Sequence, residues 1–171
     1  MENFDLHELF VVAPELMLLM LACVILIIDL FLTQSSQAVT TVLSKIALAL
    51  VGLVIILGQS QEIRYAFSEM YVADPVSDFL KLAACGSVLT MLIYSNNYLL
   101  SRGIYRGEFF TLTLFALLGM MIMISANHFL ILYLGLELLS LSLYSMVALP
   151  RGLLRSSEAA IKYFVLGAMA S

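Results

Sequence analysis

The chain has 171 residues, 63% of them hydrophobic and 12% charged, with a mean hydropathy of +1.05 and a formal net charge of -4. Soluble domains run near 45–50% apolar and about 25% charged, so this composition excludes a water-soluble globular domain and specifies an integral membrane protein. No basic patch of the kind that holds nucleic acid is present, and the acidic balance says little about topology, which follows Lys and Arg placement.

The segments can be taken in chain order. Met1 to Val12 carries Glu2, Asp5 and Glu8 with no Lys or Arg, which is not how a signal peptide starts. Met1 reads as a true start. Six apolar segments follow, at about Ala13–Thr33, Thr40–Gly58, Pro75–Tyr94, Phe109–Ala126, Phe129–Leu149 and Glu158–Ser171. The first five have, or nearly have, the ~20 residues that a helix needs to span a bilayer, whereas the sixth stops too soon. The expectation is an all-α polytopic membrane protein: a helix bundle of five full transmembrane helices plus the start of a sixth. Residues 1–171 then form the N-terminal part of a single transmembrane domain in a longer protein. Pro14 and Pro75 fall in the first turn of a segment, where the missing N–H is harmless, and Pro150 stops the fifth. Gln59–Asp74 mixes Glu62, Arg64, Glu69 and Asp74 with Ile63, Tyr65, Phe67, Met70 and Tyr71, and reads as either a short interfacial helix or an ordered loop.

Loop charges orient the bundle. One side, with the chain start, Gln59–Asp74 and Asn127–His128, holds a single Arg, Arg64. The other side holds Arg102, Arg106, Arg151 and Arg155. The excess of positive charge places the second side in the cytoplasm and the N-terminus outside. Cys23 and Cys85 lie in apolar stretches, with no C-x-x-C, and read as reduced, packed thiols. No phosphate loop or G-x-G-x-x-G occurs, so redox chemistry has no cofactor motif here.

Glu137 is the lone charge in the 21 residues from Phe129 to Leu149. It sits roughly 12 Å from the near end of that helix, where a charge costs about 2.5–3.5 kcal/mol on insertion scales. Tyr133, Ser140 and Tyr144 fall within about 60° of it on the helix face, a stripe able to hold hydrogen bonds and water. Such a carboxylate handles protons or ions, or else packs neutral between helices as a hydrogen-bonding group. Lys162 is the available partner, but it also lies four residues after Glu158, the favourable order for a surface ion pair. Ser156 or Ser157 suits the cap of that last helix. Glu15 suits its own helix N-terminus, Asp29 calls for a partner, Lys81 either pairs with Asp78 or snorkels outward, and His128 is an interfacial residue.

The run from Leu132 to Tyr144, LYLGLELLSLSLY, resembles the fifth-helix signature of the antiporter-like membrane subunits of respiratory complex I, and SEAAIKYFVLG from Ser157 to Gly167 resembles their next helix. The opening Pro14–Glu15, with Asp29 closing the first helix, extends the resemblance to the whole chain. It implies a fold shared with cation/proton antiporters and proton movement along buried charges, driven by quinone reduction in neighbouring subunits. Glu137 matches the glutamate that tunes a lysine, and Lys162 matches a lysine of the next helix. The family's central lysine and later relay residues would lie beyond Ser171. The resemblance further implies no cofactor bound by this chain, with NADH, FMN, iron–sulfur clusters and quinone in partner subunits. It also implies a multi-pass place in the bacterial inner membrane, beside other membrane subunits of the complex. An antiporter subunit, a hydrogenase membrane subunit of the same fold, or a scaffold with a neutral Glu137 are the alternatives.

Overall fold

The structure, a computed structural model, describes residues 6–32, 37–59, 62–102, 105–149 and 154–170. Its elements are α1 (Leu6–Val11), α2 (Ala13–Phe31), α3 (Gln37–Gly58), β1 (Arg64–Ala66), β2 (Tyr71–Ala73), α4 (Pro75–Arg102), α5 (Gly107–Ile124), α6 (Phe129–Ala148) and α7 (Leu154–Ala170). Among the described residues, five helices are long and apolar enough to cross a membrane: α2, α3, α4 as far as Asn96, α5 and α6. Pro14 and Pro75 lie in the first turns of α2 and α4, as expected. Pro150 lies outside the described residues.

α5 is the hub. It packs on α2, α3, α4 and α6, and it is the most buried of the five spans. Its Phe110, Leu114, Leu117 and Met121 join Leu18 and Ala22 of α2, Val51 of α3 and Leu92 of α4 in one core. α6 is the least buried span, and α7 contacts it alone among the main helix pairings. Cys85 is buried and free in this core, whereas Cys23 lies exposed on α2, so only one of the two thiols is packed.

Most ends fall within two or three residues of the sequence expectation, and three places differ by more. Gln59–Asp74 holds neither a helix nor a simple loop but an antiparallel hairpin, with Tyr65 opposite Val72 and Ala66 opposite Tyr71. Alternating burial in β2 explains it: Tyr71 and Ala73 point inward onto Val11 and Ala66. The turn holds Phe67, Ser68 and Glu69 at φ of 54°, 54° and 68°. It is kept there by the α5–α6 connection, where Asn127 Nδ2 donates to Glu69 O at 2.7 Å and Asn127 N to Met70 O at 2.9 Å. α4 runs past Tyr94 to Arg102, about two turns further. α7 starts at Leu154, so Ser156 and Ser157 lie inside its first turn and neither caps it.

Both ends of the bundle are pinned by polar contacts. At the hairpin end, Asp74 and Ser77 form a reciprocal cap on α4: Ser77 N donates to Asp74 Oδ1 at 2.9 Å, and Asp74 N donates to Ser77 Oγ at 3.0 Å. At the opposite end Thr40 Oγ1 donates to Asp29 Oδ1 at 2.7 Å, supplying the partner that Asp29 needed. Thr41 and the Tyr105 phenol share a hydrogen bond there, and the Asp29 carboxylate lies directly over Gly107, where no β-carbon would fit.

The hydrogen bonds from Ser77 hold the Asp74 carboxyl below its usual range. A depressed native value stabilises the fold above the unfolded pKa and ceases to do so as pH falls through the native one. Asp74→Ala is therefore expected to cost about 1 kcal/mol, the usual worth of such a cap, with the loss shrinking as pH falls below about 4 and gone below the lower native value. Unfolding of the detergent-solubilised protein across that pH range checks this. A deficit equal at neutral and acid pH would contradict it.

A carboxylate at mid-helix and the surfaces around it

α6 carries Glu137 as its ninth residue of 20, about 12 Å from His128. The helix starts where it does because His128 caps it, its Nδ1 accepting from Leu130 N at 3.2 Å. His128 thus acts in structure at the turn, as an interfacial residue would. Glu137 is half-buried, and no described residue forms a hydrogen bond or ion pair with its carboxylate.

The position of Glu137 is set by glycine. A β-carbon on Gly119 of α5 would meet Gly135 O at 2.7 Å and Leu139 N at 2.8 Å; one on Gly135 would meet Met123 Cγ at 2.7 Å and Gly119 O at 2.9 Å. The two helix backbones touch at these glycines, two residues before Glu137. Membrane helices lack a hydrophobic drive toward one another and use small residues for close approach. On the other side, Tyr144 packs edge-on against Tyr163 of α7, with ring centroids 4.7 Å apart, and against Phe164 at 5.8 Å. Its phenol oxygen rests on Gly167.

The expected stripe is therefore only partly brought together. Tyr133, Glu137, Ser140 and Tyr144 share the helix face, but their side chains do not form a chain of hydrogen bonds. Ser140 Oγ donates to the backbone carbonyl of Glu137 at 3.0 Å, not to its carboxylate. Tyr144 is committed to α7, and Tyr133 is exposed at 41%. Lys162 lies eight residues into α7, about 12 Å along it and a full turn further from the helix start than a Glu158 start implies. Its Nζ is 2.5 Å from Glu158 Oε1, and both side chains are largely exposed, at 69% and 64%. Lys162 thus makes the i, i+4 surface pair and makes no contact with Glu137 among the described residues.

A second ionic feature escaped the sequence reading. Lys81 of α4 is buried, 1% exposed, with Nζ 2.7 Å from Glu15 Oε1 of α2, itself 4% exposed. Lys81 neither snorkels nor takes Asp78 as its primary partner. It also donates to the Tyr71 phenol at 2.8 Å. Burial, then the charge of Glu15, pushes the Tyr71 phenol well above its usual range, so it stays protonated. The available signal was depth: Glu15 and Lys81 each sit within two turns of the same end of neighbouring spans, with opposite sign. No group of three or more metal-ligating side chains occurs among the described residues.

The fold is that of a membrane protein with several spanning helices, and the comparisons with known proteins indicate an antiporter-like membrane fold. Residues 126–171, covering α6 and α7, match the family described as NADH:quinone oxidoreductase/Mrp antiporter, transmembrane. The fold is similar to a chain of respiratory complex I from Thermus thermophilus, determined with bound aureothin: TM-score 0.70 and 29% identity over 92% of this chain and 33% of that one. By sequence the chain is similar to proteins named NADH-quinone oxidoreductase subunit N. It is 50% identical to those from Nitrosomonas europaea and from Thioalkalivibrio sulfidiphilus, over 99% of this chain and 35% of each relative. The chain thus spans about a third of the length of the curated relatives it matches.

Gly119→Ala tests the helix contact. Alanine favours a helix by about 1 kcal/mol over glycine in an open position. Here the added carbon meets backbone, so α5 and α6 must part, and the variant is expected to lower the unfolding midpoint. A raised midpoint would show that the two backbones do not touch.

Proposed function

We propose that the chain forms part of a proton-translocating membrane subunit of NADH-quinone oxidoreductase, coupling electron transfer from NADH to quinone to proton movement across the bacterial inner membrane. The observation that carries this reading is Glu137, a carboxylate halfway along an apolar spanning helix, in the region that matches the family model. A charge at that depth survives if it is neutralised, paired or put to use. In this reading Glu137 takes up and releases a proton as the charge near it changes.

Lys162 is the second relay residue. Its exchange of partners, from Glu158 to a group facing the bundle, would move positive charge toward or away from Glu137. Tyr133, Ser140 and Tyr144 support the relay by lining the same face. The subunit carries no redox centre in this reading: NADH, FMN, iron–sulfur clusters and quinone belong to partner subunits, and the other membrane subunits pack beside it in the bilayer. The hairpin end, with the N-terminus, faces the periplasm, and the end carrying Arg102 and Arg106 faces the cytoplasm. A stand-alone cation/proton antiporter is the alternative that the shared family description favours.

Two substitutions separate transport from scaffolding. In the assembled complex reconstituted in vesicles, Glu137→Gln is expected to lower the number of protons moved per NADH oxidised. A full ratio would rule out Glu137 as a proton carrier. Lys162→Ala is expected to lower the same ratio in a complex that still assembles, while Glu158→Gln, which frees Lys162 from its surface partner, leaves the subunit able to pump. Pumping unchanged in Lys162→Ala would reduce the lysine to its surface pair.

A further inference from the structure

The buried ion pair at the hairpin end is not used by the relay on α6 and α7. Glu15 comes from α2 and Lys81 from α4, and Tyr71 of the hairpin closes over them. A purely structural buried pair offsets its desolvation only when its remaining lone pairs and protons are saturated by hydrogen bonds. This one is not saturated. The Lys81–Glu15 contact is close but poorly directed, and neither Glu15 oxygen accepts a well-formed hydrogen bond from the described residues. Ser125 Oγ, near the Tyr71 phenol but outside good hydrogen-bond geometry, is equally without a partner among them. Unmatched buried polar atoms call for water or a proton.

The cluster also has a way out. A cavity of about 240 Å³ lies between α2, α3 and the hairpin, lined by Val11, Pro14, Ile55, Gly58, Arg64 and Asp78. Pro14 adjoins Glu15 in sequence. Asp78 precedes Lys81 by three residues, is buried at 8% exposure, and lies within electrostatic reach of both Lys81 and Arg64. Two acids, Glu15 and Asp78, thus face two bases, Lys81 and Arg64, with the neutral phenol of Tyr71 between helix and hairpin and the Cys85 thiol one turn deeper on α4. Of the polar groups only Arg64 and Asp78 line the cavity itself, and the buried pair adjoins it through Pro14 and Asp78. Arg64 Nη2 meanwhile holds Gly58 O at 2.9 Å and fixes the rim.

We propose that Glu15, Lys81 and Asp78 form a proton-exchange site at the hairpin end of the bundle, opening to the outer aqueous phase through the Arg64–Asp78 cavity. A proton leaves Lys81 as its Nζ–H bond breaks, crosses an intervening water, and ends in an O–H bond on Asp78, which lies beyond direct hydrogen-bond reach of Nζ. Asp78 then loses that proton to water in the cavity. Lys81 regains one when a hydronium ion reaching it from the bundle side loses a proton to Nζ and becomes water, which restores its pair with Glu15. Tyr71 acts as a positioning residue, holding Lys81 with its phenol oxygen. The inference rests on the proton-translocating reading above, with the hairpin end facing out.

The test uses the assembled complex in vesicles and reads protons moved per NADH oxidised. The double variant Glu15→Gln/Lys81→Met removes both charges together while keeping their volume, a change that leaves a structural pair close to neutral in stability. The site predicts an assembled complex whose ratio falls to that of Glu137→Gln, and a combination of the two sets that falls no further, because one route has been cut twice. A double variant at full ratio beside a lowered Glu137→Gln overturns this site alone. Full ratios in both overturn the translocation reading as well. Should the double variant fail to assemble, Asp78→Asn, which leaves the Glu15–Lys81 pair in place, is expected to lower the ratio in the same way. A full ratio there overturns the site.

Discussion

The low dielectric of the bilayer constrains everything in this chain. A carboxylate or ammonium taken out of water must be paired, neutralised or given a task, because insertion of one such group at mid-span costs about 2.5–3.5 kcal/mol. The protein meets that constraint in two ways. Asp29 is placed within 2.7 Å of a threonine hydroxyl near its helix end. Glu15 and Lys81 neutralise one another under the hairpin. Glu137 stands without a charged partner among the described residues.

Packing serves the same end. α5 forms the centre of the core, and its glycine contact with α6 brings the backbone beside Glu137 against a rigid neighbour. The opposite side of α6 meets α7 through Tyr144, Tyr163 and Phe164, an apolar and aromatic surface with few polar constraints. The hairpin has a different role. Three consecutive left-handed residues are unfavourable, yet the hairpin keeps them, and through Asn127 it ties the α5–α6 turn to the roof over Lys81.

Much of this was written in the sequence because the bilayer acts on hydropathy. The five spans follow from apolar runs of the right length, and Pro14 and Pro75 mark their starts. Glu137 stood out because nothing near it in sequence could satisfy it. The hairpin did not stand out, because its two strands are three residues each and its turn uses Phe67, Ser68 and Glu69 in place of glycine. Tertiary contacts with Asn127 and Ser125 hold it, and local propensity does not. The Glu15–Lys81 pair was hidden for a related reason. Each residue had a satisfactory local account, a helix N-terminus for one and a snorkelling stem for the other, and only the reach of the Lys81 side chain from α4 to α2 in the folded bundle joins them. Lys162 shows the converse: its pairing with Glu158 is the local interaction that the i, i+4 spacing specifies.

The central claim is that Glu137 changes its protonation state as the complex turns over. Infrared difference spectra of the assembled complex, reduced minus oxidised, test it most directly. The account predicts a carboxyl C=O band that changes with the redox state, shifts in heavy water and is absent from the Glu137→Gln variant. A difference spectrum in which Glu137→Gln and the unsubstituted complex share every carboxyl band would contradict it.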